Sequence, residues 1–204
     1  MKKAVEGRAI VYVWHFTRLD NLEGILTHGL LGRPRIAELG IQSDFNDEYR
    51  FDGHEDAICC SLGHPNYKMF YRLRQESLGT EWVVIALHAS VLWGKDCASC
   101  MTNAASNSVT CIPVAQRRGV AAFTGLFQEI PGKPPRSELG IPENCPTDPQ
   151  AEVLVFGNIE TTYIAGVITQ SKQTESVLKE RFPDYGFLYH RAFFSARKDY
   201  EHWK

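Results

Sequence analysis

IVYVWHFTRLDNLEGILTHGL, residues 10–30, changes its period partway along. From 10 to 17 the chain alternates and is rich in β-branched and aromatic residues, the pattern of a strand. From Asn21 onward Leu22, Ile25, Leu26 and Leu30 recur at helical spacing. Asp20 or Asn21 is placed to cap the helix, and Gly29 stands where a helix closes in the left-handed conformation. The stretch predicts a strand ending in His15-Phe16-Thr17 that runs directly into a short capped helix.

Outward from it, residues 32–56 hold glycine, proline and many charges without a period, which predicts a long loop with one helical turn near Ile36 to Leu39. Strands are expected at Ala57 to Ser61 and Trp82 to Leu87, with a helix at Asn66 to Glu76 between them. Residues 88–118 read as loop-rich, and a helix is expected at Ala121 to Phe127. Pro131 to Pro149 carries six of the ten prolines, so no regular element is expected there. Strands at Ala151 to Phe156 and Tyr163 to Thr169, a helix at Thr174 to Phe182 and a strand-like stretch at Gly186 to Phe194 complete the chain. Short strands joined by loops rather than crossover helices indicate an α+β fold with a mixed or antiparallel sheet, one domain over residues 1–204.

The 204 residues are 44% hydrophobic and 23% charged, an ordinary globular composition, and the net charge of -2 excludes a wholly basic polyanion binder. A nucleic-acid contact would need a local patch. The N-terminal MKKAVEGRAIVYVW has too short an apolar run for a signal peptide, and no stretch approaches the roughly 20 apolar residues of a membrane span. Six cysteines without a secretory signal are expected as cytoplasmic thiols. Cys97-x-x-Cys100, with Cys111 and Cys145, lacks the second close pair of a zinc site, so no metal is expected; Cys59 and Cys60 lie in an apolar run and read as small buried hydrophobes. Neither GxGxxG nor GxxxxGK[ST] occurs, so a dinucleotide would need another grip.

Gln150-Ala151-Glu152 stands where the proline-rich loop meets a strand. Strand residues two apart share a face, so Gln150 and Glu152 are expected to face one cleft, and a carboxylate there suits a cation developing on a substrate. His15-Phe16-Thr17 offers a backbone amide and carbonyl with two polar side chains, able to clasp a flat amide-bearing ring such as nicotinamide. Arg50, within Asp47-Glu48-Tyr49-Arg50-Phe51-Asp52, either binds a pyrophosphate with its fork or pairs with Asp47 or Asp52 on the surface.

Four blocks in order resemble the DarT-type ADP-ribosyltransferases. They are Trp14 to Leu22 with Ile25-Leu26 and Gly29-Leu30; Phe51-Asp52-Gly53-His54 with Pro65 to Tyr71; Thr102-Asn103-Ala104-Ala105-Ser106; and Pro146 to Val155. The resemblance implies a compact ADP-ribosyltransferase fold with a split central β-structure and NAD as co-substrate. By it, Glu152 and Arg50 are catalytic, and His15, Thr17, Asn21, Arg50 and Tyr71 hold NAD, with Arg33 or Arg35 as alternatives to Arg50 for the phosphates. Gln150, Thr102, Asn103, Lys68, Arg117 and Arg118 are expected on the acceptor side, where Arg117, Arg118, Lys133 and Arg136 would form the local positive patch and Tyr67, Lys68 and Tyr71 could stack on or steer a base. The resemblance further implies a nucleobase acceptor in single-stranded nucleic acid, DNA or RNA, and a toxin with a cognate antitoxin, either an ADP-ribosylglycohydrolase or an inhibitory protein; of the two acceptors DNA is the expectation. An RNA 2′-phosphotransferase and a non-catalytic ADP-ribose or nucleic-acid binding module are the rival readings.

Overall fold

The computed structural model describes residues 1–46 and 50–203. Among these residues the strands are β1 (Tyr12–Arg18), β2 (Ala57–Leu62), β3 (Trp82–His88), β4 (Cys97–Cys100), β5 (Glu152–Phe156), β6 (Ile164–Thr169) and β7 (Phe187–Tyr189). They form one sheet in the order β4-β5-β2-β1-β3-β6-β7. Neighbours run antiparallel except β6 and β7, which are parallel. The helices are α1 (Lys2–Glu6), α2 (Leu22–His28), α3 (Arg33–Glu38), α4 (Tyr67–Glu76), α5 (Val91–Gly94), α6 (Asn107–Thr110), α7 (Gly119–Gly125), α8 (Arg136–Leu139) and α9 (Lys172–Arg181). The expected α+β class with a split sheet is the one observed.

Both faces of the central strands are covered. Val83, Ile85 and Leu87 of β3 pack with Val13, with Leu22, Ile25 and Leu26 of α2 and with Phe123 of α7. The alternate residues Trp82, Val84 and Ala86 pack with Trp14 and Phe16 of β1 and Phe70 and Leu73 of α4 on the other side. Period-two alternation thus feeds two cores rather than one core and solvent, which is why β3 reads as a continuous apolar run.

The split lies beside β1. This strand pairs with β3 along its whole length, from Tyr12↔His88 to Arg18↔Trp82, but with β2 only at Val13↔Leu62 and Trp14↔Ser61. Beyond Trp14 the two strands part. The carbonyl of Phe16 receives no ladder partner from β2 there; it accepts the side-chain amide of Asn46 at 2.7 Å instead.

Local signals place the helices. Asn66 caps α4, its Oδ1 accepting from the Met69 amide at 3.2 Å. Gly29 ends α2 with φ 83°, and a Cβ there would stand 2.2 Å from the Ile159 carbonyl, so both conformation and space require glycine. Asn21 makes no cap bond; a 3₁₀ turn at Leu19–Asn21 precedes α2 and frees its amide for Thr17 Oγ1 at 3.0 Å and the Asp44 carbonyl at 2.8 Å.

Several elements depart from expectation. β4 lies within the stretch read as loop-rich, because Cys97-Ala98-Ser99-Cys100 has no β-branched or aromatic residue to announce a strand; it is recruited by pairing with β5. The turn of helix α8 interrupts the proline-rich segment, and α1 forms at the N-terminus. All six cysteines are free thiols, and among the described residues no group of three or more His, Cys, Asp or Glu could hold a metal ion. No helix of the described residues is long and apolar enough to cross a membrane.

Candidate active site

A cleft opens where β1 and β2 part. His15, Thr17 and Asn21 line one side, Cys59, Asn103 and Glu152 the other, and Arg33 and Arg50 lie along it. Thr17 and Asn21 are joined by their own hydrogen bond, and Asn21 Oδ1 accepts from the Asp44 amide at 3.0 Å, so this lip ties the end of β1 to the following loop.

His15 spans the split. Its Nδ1 stands 2.9 Å from the Cys59 carbonyl. A carbonyl can only accept, so Nδ1 carries the proton and Nε2 is left as an acceptor when the ring is neutral. Burial holds the imidazole pKa below its ordinary value, the bond to Cys59 opposes that, and the Arg50 charge adds to it. The ring is therefore neutral at physiological pH.

Glu152 is the first residue of β5, an interior strand, and is only 5% exposed. Its Oε1 accepts from Asn103 Nδ2 at 2.9 Å. Asn103 is itself held, its Oδ1 accepting from the Ala105 amide at 3.0 Å. The turn that follows β4 thus presents a fixed Asn103 to the carboxylate. Burial pushes the Glu152 pKa up to about 7; the donated hydrogen bonds and Arg50 pull it down while Asp52 pushes it further up. A carboxyl poised there can hold charge or accept a proton near neutrality.

Arg50 has φ 45°, a left-handed conformation uncommon for a residue with a side chain, in a turn closed by the Gly53 amide on the Arg50 carbonyl at 2.8 Å. Nη2 meets Asp52 Oδ2 at 2.7 Å and the His54 carbonyl, while Nη1 points to the Cys59 sulfur at 3.5 Å. The ion pair with Asp52 is buried rather than on the surface as one reading had it; Asp47 lies outside the described residues. Of the alternatives to Arg50, Arg33 lines the cleft with its guanidinium 4.4 Å over the Phe45 ring, whereas Arg35 turns away to Glu38 at 2.9 Å.

Other expected residues stand outside this lining. Gln150 lies in the turn before β5, so strand alternation does not extend to it. Tyr71 is exposed on α4, and Thr102 is half-buried in the turn beside Asn103. Lys68 binds the Trp203 carbonyl, and Arg118 pairs with Asp96 at 2.6 Å.

The anticipated positive patch is not formed by the four cations assigned to it. Arg117 is 5% exposed, donating to Cys100 Sγ at 3.3 Å and standing 3.2 Å from His54 Nε2. Arg136 binds Thr147 Oγ1 and the carbonyls of Pro142 and Cys145, and Lys133 binds the His202 carbonyl. Loop carbonyls released by proline-rich sequence need donors, and these side chains supply them.

Asn46, Asn66 and Cys59 line the cleft without having been picked out from sequence as site residues. Cys59 was read as core. The Asn66 cap is a local signal, but its place in the cleft, like the bond from Asn46 to the Phe16 carbonyl, depends on long-range pairing.

The sheet thus parts at Trp14, with His15 on one lip and the buried Glu152 on the other. A family profile described as "ssDNA thymidine ADP-ribosyltransferase, DarT" matches residues 14–193, and the chain belongs to the DarT family. Among solved structures, Thermosipho africanus DarTG in complex with ADP-ribose is similar with TM-score 0.64 and 16% identity, over 90% of this chain and 51% of that one. This chain thus spans about half the length of that relative. Thermus sp. 2.9 DarT in complex with ADP-ribosylated ssDNA matches with TM-score 0.60 and 17% identity, over 92% of this chain and 97% of that one. The same Thermus protein in complex with NAD+ matches with TM-score 0.56 and 16% identity, over 91% and 98%. Comparison with curated proteins gives no match.

Proposed function

We propose that this chain takes NAD into the cleft and transfers its ADP-ribose to thymine in single-stranded DNA, with Glu152 as the catalytic carboxylate. The observation that carries the reading is the buried Glu152, held by Asn103 across the split from His15. Similarity to the Thermus proteins bound to NAD+ and to ADP-ribosylated ssDNA supports it.

In this reading the nicotinamide carboxamide takes the Phe16 carbonyl that Asn46 now occupies, Thr17 and Asn21 bound the ribose side, and Arg50 or Arg33 meets the pyrophosphate. The bond between ribose C1″ and the nicotinamide ring nitrogen breaks, its electron pair leaves with neutral nicotinamide, and positive charge develops on the ribose. The Glu152 carboxylate stabilises that cation in a site of low dielectric. Thymidine has a single N–H, at N3; this nitrogen bonds to C1″ and its proton passes to Glu152. A base inside a duplex has that N–H paired, which is why a single strand is required.

We further propose that the activity is that of a toxin restrained by an antitoxin, either a glycohydrolase that removes the modification or an inhibitory protein. Growth arrest on expression, abolished by Glu152→Ala, is the expected outcome. For the acceptor, radiolabelled NAD is incubated with single-stranded DNA with and without thymidine, duplex DNA and RNA. Label on thymidine-containing single strands alone is expected; label on RNA would move the assignment to mRNA, and label only on protein would overturn the nucleobase reading.

A further inference from the structure

Two halves of a hydrogen bond line the cleft and do not meet. Asn66 is 1% exposed, and its Oδ1 is used in capping α4, where it accepts from the Met69 amide at 3.2 Å. The cap fixes the orientation of the amide, so the atom left over is Nδ2, a buried donor with no partner. Asn46 presents the opposite case. Its Nδ2 donates to the Phe16 carbonyl at 2.7 Å, and its Oδ1 is a buried acceptor with no partner. A buried donor left unpaired destabilises the free protein, and in a binding cleft a ligand can supply the missing acceptor. Asn66 is also pinned in place. Its backbone amide donates to Ser61 Oγ at 3.0 Å, and Ser61 pairs with Trp14 at the last rung before the sheet parts. Its carbonyl accepts from the Phe70 amide at 2.9 Å, and the Phe70 ring stacks on that of Phe16 with centroids 4.5 Å apart. The free donor and the Phe16 carbonyl are thus carried by packed neighbours at the closed end of the split.

We propose that Asn66 Nδ2 is the donor to the carboxamide oxygen of nicotinamide, so that Asn66 and the Phe16 carbonyl together recognise the carboxamide of NAD. This rests on the proposed reading of the cleft as an NAD site. A primary carboxamide carries an NH2 and a C=O, and its recognition takes one acceptor and one donor. The Phe16 carbonyl is the acceptor, and Asn66 Nδ2 is a donor with nothing else to bind. Asn46 is itself a primary carboxamide and satisfies only the first half of this set. A nicotinamide carboxamide that reaches both groups leaves neither Nδ2 nor its own oxygen unpaired. The pair rejects a carboxylate in the same position, which would set an oxygen against the Phe16 carbonyl. As the bond to ribose C1″ breaks, the ring loses its positive charge and the carboxamide oxygen gains electron density. The bond from Asn66 therefore strengthens toward the transition state.

The test is calorimetric binding of NAD, its acetylpyridine analogue and ADP-ribose to wild type, Asn66→Ser and Asn66→Asp, without nucleic acid. Both variants keep an oxygen to cap α4 and lose the amide donor. The acetylpyridine analogue retains the carbonyl oxygen and lacks the NH2, and ADP-ribose lacks the ring altogether. Asn66→Ser is expected to weaken NAD and the analogue alike by about fivefold to tenfold and to leave ADP-ribose within about twofold. Asn66→Asp, which sets an oxygen against the carboxamide oxygen, should weaken both by about 30-fold or more. Should the buried aspartate prevent folding, the serine variant carries the comparison alone. Equal losses for all three ligands, no loss for NAD, or a loss for NAD that the analogue does not share each overturn the inference. A variant that binds NAD normally but shows a raised KM for the single strand overturns it too, because Asn66 would then serve the base. Wild type that binds both NAD and ADP-ribose, in a ratio unchanged by the variants, overturns this inference alone. Wild type that binds neither overturns the NAD reading along with it.

Discussion

Arg50-Phe51-Asp52 and Arg197-Lys198-Asp199 repeat one pattern, a buried guanidinium closed on the aspartate two residues later, at 2.7 Å and 2.6 Å. Arg197 is saturated: Nε and Nη2 engage Asp199, Nη1 binds the Pro146 carbonyl at 2.7 Å, and Nη2 binds the Thr147 carbonyl at 3.0 Å. Asp199 also accepts from Trp203 Nε1 at 2.6 Å. Every contact ends on the fold itself, and what it fixes is the loop that delivers Glu152. Arg50 lines the cleft, sits at positive φ, and directs Nη1 to a thiol. Arg50 also reaches Asp52 and the His54 carbonyl, so what sets it apart from Arg197 is its place along the cleft and the Nη1 directed at a soft acceptor.

Removing the clamp has the largest expected effect. Arg197→Met leaves Asp199 buried without its cation and should cost about 3–5 kcal/mol in urea unfolding. Loss of less than about 1 kcal/mol would place Arg197 with the surface pairs.

Next in size is the pH dependence set by Glu152, raised by burial from the ordinary 4.5 to about 7. Below the unfolded value both forms carry the proton and there is no penalty; as pH rises toward 7 the unfolded chain ionises first, so the folded state loses stability. Glu152→Gln, which cannot ionise, should therefore be more stable than wild type at pH 8 by an amount on the order of 3 kcal/mol, and equal to it at pH 4. A gain that does not grow between those pH values contradicts the burial of this charge.

Arg50→Lys keeps the charge that neutralises Asp52 but loses the fork. Transfer is expected to fall about 100-fold while the unfolding midpoint moves far less than in Arg197→Met. Equal loss of stability at both positions would dissolve the contrast between them. The smallest effect is expected at Asn46, whose amide occupies the Phe16 carbonyl. Asn46→Ala removes that competitor, and the KM for NAD should drop by about threefold to fivefold, the worth of one neutral hydrogen bond. A raised KM would make Asn46 a ligand contact.

The contrast also explains what was readable. The first strand and helix could be read because period and Gly29 are local, and the start of β5 at Glu152 because a proline-rich segment leads directly into a strand. The register that separates β1 from β2 after Trp14 is not local, nor is the hydrogen bond from Asn103 to a carboxylate 49 residues away. β4 has no propensity of its own. An arginine two residues from an aspartate looks alike at both positions, and its surroundings depend on carbonyls 50 and 51 residues distant in one case and on a cleft in the other. The basic residues of the loop misled for a related reason: their charge is legible, but not the number of loop carbonyls that need donors.

The most direct test of the central claim is single-turnover ADP-ribose transfer to a thymidine-containing single strand by wild type and Glu152→Gln, with NAD affinity measured by calorimetry on both. A buried carboxylate that acts on the developing cation predicts a fall in rate of about 1,000-fold with NAD affinity changed by only a few-fold. A variant that transfers at the wild-type rate, or one whose loss is wholly accounted for by lost NAD binding, would contradict the assignment of Glu152 as the catalytic residue.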